Sequence, residues 1–182
     1  MDREYKQILI VSSGHLSATL DAAQRLARLL PCLCTVADTR TSPSVAFDRY
    51  DAVVFGTNVR MMMFHPRFFK YVMRWKKSRS TAPVYVYISG IDKAHAQLYC
   101  QGAVRLISPR AHAVFVNGYL DASRAGGVTG MMTREYVKRL RTRGNPLPQL
   151  DDIAIARLAE RICADLRLPA PLSDGTPQDG QR

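Results

Sequence analysis

No stretch of this 182-residue chain approaches the roughly 20 consecutive apolar residues of a membrane-spanning helix, which argues against an integral membrane protein. Four cysteines, Cys32, Cys34, Cys100 and Cys163, offer neither a CxxC pair nor a repeated zinc-ligand spacing, so a structural zinc module has no basis and no metal is expected. Cys32 and Cys34 stand two apart and on a strand face the same way, as small apolar core residues do. The segment Ser12–Thr19 holds a single glycine. That excludes the GxGxxG dinucleotide fingerprint, and the absence of a following Gly-Lys-Ser/Thr excludes a Walker loop. Acidic residues are missing altogether from Arg60 to Arg79.

What the chain does have is positive charge. The formal net charge of +11 arises from 26 basic against 15 acidic residues, and it is concentrated. Arg60–Arg79 carries seven basic residues, and Arg134–Arg143 five against Glu135. Such a field attracts nucleotide phosphates, acidic lipid headgroups, nucleic acid or an acidic protein, and a merely solvated helix face weighs as much for the first cluster. An apolar fraction of 47% and a charged fraction of 23% suit one soluble globular domain. The charged start Met1–Lys6 leads into an apolar run, Ile8–Val11, too short for a secretory signal, so the expected location is cytoplasmic.

Short apolar runs alternate with amphipathic ones. Lys6–Ser12, Cys32–Ala37, Tyr50–Gly56, Pro83–Ile88 and Ala111–Leu120 read as strands, the third closed by Gly56. Ala18–Leu30 reads as a helix stopped before Pro31. Pro66 opens a second helix, with Phe68, Val72 and Trp75 on one face and Arg67, Lys70, Arg74 and Lys77 on another. Ala94–Ile107 is a weaker helical pattern, Ser123–Gly130 a glycine-rich loop and Met131–Arg143 a basic helix. A last helix carries the stripe Ile155, Leu158, Ala159, Ile162 and Leu166. A domain over 1–167 and a disordered tail over 168–182 follow. Strand–helix alternation implies right-handed crossovers and a parallel sheet, an α/β doubly wound fold whose ligand crevice lies outside the carboxyl ends of the strands. Ser12–Thr19, Gly56–His65 and Ser89–Lys93 are therefore the loops that matter. The first offers hydroxyls and N–H groups at a helix N-terminus, which is enough for phosphate, although helix capping alone explains it equally well. His65 is expected to fix the entrance of the second helix.

The sequence of strand, Ser/Thr-rich loop and helix, then Tyr50-Asp51-Ala52-Val53-Val54-Phe55-Gly56-Thr57-Asn58-Val59-Arg60, then Phe64-His65-Pro66-Arg67-Phe68-Phe69-Lys70-Tyr71-Val72, resembles the flavodoxin-domain proteins related to menaquinone-dependent protoporphyrinogen oxidase. The resemblance spans roughly Gln7 to Leu166. It implies a flavodoxin-like five-stranded parallel sheet, order 2-1-3-4-5, with helices on both faces. It also implies FMN as cofactor. Ser12, Ser13, His15, Ser17 and Thr19 would surround the phosphate, with Gly14, Leu16 and Ala18 in the same cofactor-binding loop; Thr57, Asn58, Val59 and Arg60 would lie along the ring, and Ser89 and Gly90 would form the opposite wall. Two functions of different class follow. One is an FMN-dependent oxidoreductase or electron-transfer protein, with a quinone or another small redox substrate and a peripheral contact to an anionic membrane surface. The other is a binding or regulatory protein whose flavin binding is weak or lost and whose basic surface meets an anionic partner. Nucleic acid ranks last among the partners.

Overall fold

The computed structural model describes residues 5–14, 17–42, 44–60, 62–119, 127–144 and 146–173. The apolar run before Ser12 forms β1 (Gln7–Ser13), followed by α1 (Ser17–Leu29) and β2 (Leu33–Asp38). Next come β3 (Ala52–Arg60), a short β4 (Met63–Phe64) and α2 (Pro66–Ser78), then β5 (Val84–Gly90), α3 (Ala96–Ile107), β6 (His112–Asn117), α4 (Gly127–Thr142) and α5 (Asp152–Leu166). The sheet runs β2-β1-β3-β5-β6, and β4 pairs with β3 off that path. All pairings along the path are parallel, so the five parallel strands stand in the expected order 2-1-3-4-5 once β4 is set aside.

Alternation along each strand divides the core in two. Ile8, Ile10, Val54, Tyr85 and Tyr87 face α1 and α5, where they meet Leu26, Ile155, Leu158 and Ile162. Leu9, Val11, Val53, Phe55, Val86 and Ile88 face the other way, onto Phe68 and Val72 of α2 and Tyr99, Ala103 and Ile107 of α3. Strands covered on both faces must be apolar at every position, and each large side chain so buried contributes roughly 1.5–3 kcal/mol. The helix ends obey local chemistry. His65 caps α2 with its Nδ1 accepting from the N–H of Arg67 at 3.2 Å, and Pro66 occupies the first turn, where no donor is needed. Asp151 caps α5 by accepting from the N–H of Ala154 at 3.0 Å.

Several boundaries differ from the sequence expectation, and β6, expected to run on to Leu120, ends at Asn117. Gly56 does not end the third strand; β3 continues to Arg60 and folds back on β4 with Val59 opposite Phe64 and Arg60 opposite Met63. The glycine is there because Tyr87 of the neighbouring strand occupies its side-chain space: a Cβ would lie 2.0 Å from the phenol ring. The fourth helix begins at Gly127, inside the stretch expected to be a loop. At the other end Leu168 packs against the core and the N–H of Leu172 donates to Leu29 at 2.8 Å, so the segment expected to be a free tail stays attached there. The rest of that tail, 174–182, lies outside the described residues.

Candidate functional site

The parallel register brings Ser12 beside Asp38 and Gly56, Ser13 beside Thr57, Asn58 beside Ser89, and Gly90 beside Asn117. The carboxyl ends of the five parallel strands thus form one polar edge. Ser12, Ser13, Thr19, Thr39, Thr57, Asn58 and Ser89 are all buried. Polar side chains are shut away from water when something satisfies them, and here the partners fall into two groups.

The first group is paired. Thr19 Oγ1 and Ser89 Oγ share a hydrogen bond of 3.1 Å, tying α1 to β5. The Tyr87 hydroxyl donates to the Thr19 carbonyl at 2.7 Å. Burial pushes the Tyr87 phenol above its ordinary range, with its bond to Ser12 working against that shift and the charge of Asp38 adding to it. Thr57 Oγ1 accepts from the N–H of His65 at 3.4 Å. The Thr57 side chain therefore braces the entrance of α2, and only its backbone remains for the crevice. The second group has no partner: Ser13 Oγ, Thr39 Oγ1 and Asn58 Oδ1 are buried polar atoms without a hydrogen bond. They stand at the ends of β1, β2 and β3, three adjacent strands.

Other candidates are distributed around this edge. Gly14 folds tightly over it, since a Cβ there would lie 2.7 Å from Thr19 Oγ1 and 3.4 Å from Asn58 Oδ1. Ala18 is buried in the first turn of α1, and Val59 and Arg60 extend β3 into the hairpin. His15 and Leu16 lie outside the described residues; Ser17 is placed by its backbone as the start of α1. Gly90 is pressed against Phe115, its Cβ position 3.0 Å from that ring. Two further segments belong to the edge and are absent from the sequence-based set. Thr39 follows β2, its N–H donating to Ser12 at 3.0 Å. Gly118 follows β6, its N–H donating to the Gly90 carbonyl at 2.8 Å, while the next residue, Tyr119, donates its hydroxyl to Asp21 of α1. The signal for the second was available, because Asn117-Gly118 repeats the polar-Gly strand ending of Ser89-Gly90.

At the rim, Arg40 donates to Asp38 from Nε at 2.9 Å and from Nη2 at 2.6 Å. Burial raises the Asp38 carboxyl, but the bonds and charge of Arg40, joined by Arg67, hold it below its ordinary value. Among the described residues no group of three or more His, Cys, Asp or Glu could hold a metal ion, and no helix is long and apolar enough to cross a membrane.

The Flavodoxin domain family model matches residues 8–143, and the chain belongs to that family. No curated protein matches it. Among solved structures it is similar to oxidised Flavodoxin 1 from Bacillus cereus, with 16% identity over 74% of this chain and 99% of that one, at a TM-score of 0.46. A variant flavo di-iron protein from Thermotoga maritima shares 13% identity over 78% of this chain, at a TM-score of 0.47, and this chain covers 36% of it. A flavodoxin from Streptococcus pneumonia shares 16% identity over 76% of this chain and 98% of that one, at a TM-score of 0.43.

Proposed function

We propose that this flavodoxin-domain protein binds FMN across the carboxyl ends of β1, β3 and β5 and works as an electron-transfer protein or oxidoreductase. One observation carries the reading: Ser13 Oγ, Thr39 Oγ1 and Asn58 Oδ1 are buried without partners at the carboxyl-terminal side of three adjacent strands, and a buried unpaired polar atom costs about 1–3 kcal/mol unless a ligand or water completes it. The donor set fits a flavin nucleotide. The hydroxyls of Ser12 and Ser13 and the N–H groups in the first turn of α1 suit a phosphate. The Asn58 amide and the backbone of Thr57, Val59, Arg60, Ser89 and Gly90 suit the polar edge of a flat heteroaromatic ring. When bound, the flavin supplies the redox chemistry, and the protein supplies binding and orientation. Thr57 and His65 fix the hairpin, Thr19 and Ser89 fix α1 against β5, and Gly14 and Gly90 let the backbone come close. A quinone, a porphyrinogen or another small redox substrate is the finer reading, supported by the motif Tyr50–Arg60 and its continuation through Val72.

Titration of the purified protein with FMN, followed by flavin fluorescence and the visible spectrum at low and moderate salt, tests this. Saturable binding with a perturbed spectrum that survives moderate salt is expected. Absence of binding, or binding that vanishes with salt, overturns the reading.

A second reading concerns the surface beside the site. Met62 and Met63 are 63% and 67% exposed, and Phe69 and Met73, one turn apart on α2, are 40% and 49% exposed. Exposed Arg67, Lys70, Lys76 and Lys77 lie on the same helix. Apolar side chains with cations among them match an anionic bilayer surface, which takes up both. The helix would hold the protein there as a peripheral partner, and co-sedimentation with anionic against zwitterionic vesicles tests it.

A further inference from the structure

At the amino-terminal end of the sheet, far along the strands from the polar edge, Cys32 Sγ and Cys34 Sγ lie 3.8 Å apart. Both are half-buried and both line a cleft of about 400 Å³ together with Gln7, Ala27, Arg28 and Thr35. Nothing in the proposed flavin chemistry uses them. They differ in how they are held. Cys34 is inside the β1–β2 ladder, opposite Ile8, whereas Cys32 precedes the strand in the turn after Pro31. A disulfide needs its sulfurs about 2.05 Å apart, so closing this pair asks for a movement of less than about 2 Å. Cys32, outside the ladder, is the residue that would move in that closure. The hydrogen bond with Cys34 lowers the Cys32 thiol below its ordinary range, against burial and the charge of Asp51. Cys34 is pushed up instead, by the same bond, by burial and by the neighbouring Cys32 and Cys163.

We propose that Cys32 and Cys34 form a vicinal dithiol site for small electrophilic disulfides, with Cys32 as the attacking thiol and Cys34 as the resolving one. The Cys32 thiolate attacks one sulfur of the small disulfide, forming a mixed disulfide and releasing one small thiol. Cys34 loses its proton and attacks Cys32 Sγ, which forms the Cys32–Cys34 bond and releases the second small thiol. The protein gives up two electrons and two protons, and the small disulfide takes both, ending as two thiols. The cleft is what admits such a molecule, and the ladder-held Cys34 is what keeps the resolving sulfur in place.

The test uses oxidised glutathione on the full chain without flavin, so its outcome is separate from that of the FMN titration. Alkylation and peptide mapping after exposure should show loss of alkylation at Cys32 and Cys34, joined to each other, with Cys100 and Cys163 still free. In Cys34→Ser the glutathione should remain trapped on Cys32. In Cys32→Ser, Cys34 should stay alkylatable, and circular dichroism confirms that both serine variants are folded. The wild-type map decides alone if either is not. Free thiols at Cys32 and Cys34 after exposure, a bridge from either to Cys163, or glutathione on Cys34 rather than Cys32 would each overturn the assignment.

Discussion

Two rows of residues break the usual rule of burial in opposite directions. At the ends of β1, β2 and β3, Ser13, Thr39 and Asn58 hold polar atoms away from water with no partner; on the hairpin and α2, Met62, Met63, Phe69 and Met73 stand in the solvent. Neither arrangement serves the stability of the free chain fully, since an orphaned polar atom costs free energy and a half-exposed apolar side chain returns only part of its transfer free energy. What differs is the kind of partner each implies. A few buried polar atoms call for a small ligand with matching polar groups. An exposed apolar row among cations calls for an extended anionic surface.

Within the polar edge, paired and unpaired hydroxyls occur side by side, and substituting them should give the largest contrast. Ser89→Ala removes one partner of the 3.1 Å bond to Thr19 and leaves the Thr19 hydroxyl orphaned, so it should cost about 1–3 kcal/mol in urea unfolding. Ser13→Ala deletes an atom that has no partner to lose. The free protein should be unchanged or gain up to about 1 kcal/mol, while FMN affinity falls about tenfold. Equal destabilisation by the two variants would mean that Ser13 is satisfied in the free protein, and the contrast would collapse.

The next effect is smaller and acts on the other row. The double variant Phe69→Ser, Met73→Ser removes apolar surface that the fold buries only in part, and Phe69 also gives up its ring contacts with Phe64 and Phe68, so stability should fall by about 1–2 kcal/mol. Partitioning onto anionic vesicles should fall about fivefold, reflecting the lost transfer of two partly exposed side chains. Unchanged partitioning would leave the cations alone as the membrane contact.

Much of this architecture was legible from periodicity. The run Ile8–Val11, the stripe Ile155, Leu158, Ala159 and Ile162, and the alternation of short strands with helices place the sheet and its polar edge without coordinates. The hairpin was not legible, because a glycine after an apolar run reads as a strand end; that Gly56 lies inside β3 follows from Tyr87, a neighbour only in space. The α4 start was hidden for a related reason, since Gly127 and Gly130 lower helix propensity yet both lie in that helix. In the site, residue type did mark the edge, but direction did not follow from it. Side chains alternate along a strand, so Thr57 turns to His65 while Asn58 approaches Gly14. Thr39 and Gly118 enter the edge only through pairing across the sheet.

The smallest expected effect is at the rim, where Asp38 precedes the orphaned Thr39 and is bonded to Arg40. Its carboxyl is raised by burial but brought below the ordinary 3.8 by Arg40 and Arg67. The folded state therefore binds fewer protons than the unfolded chain in this range, so the pair adds stability above the ordinary carboxylate value, and that stability is lost as pH falls through the depressed folded value. An ion pair at the surface is worth under about 1 kcal/mol, and salt reduces it further. Asp38→Asn should be slightly less stable than wild type at about pH 7, with the difference shrinking as pH falls through the depressed folded value of the Asp38 carboxyl. Urea unfolding of both proteins across that range measures it. A difference that persists in acid would move the contribution of Asp38 from its charge to the backbone N–H of Arg40, which it accepts at 2.9 Å. Asp38 would then brace the loop that carries Thr39, and so belong to the polar edge rather than to its charged rim.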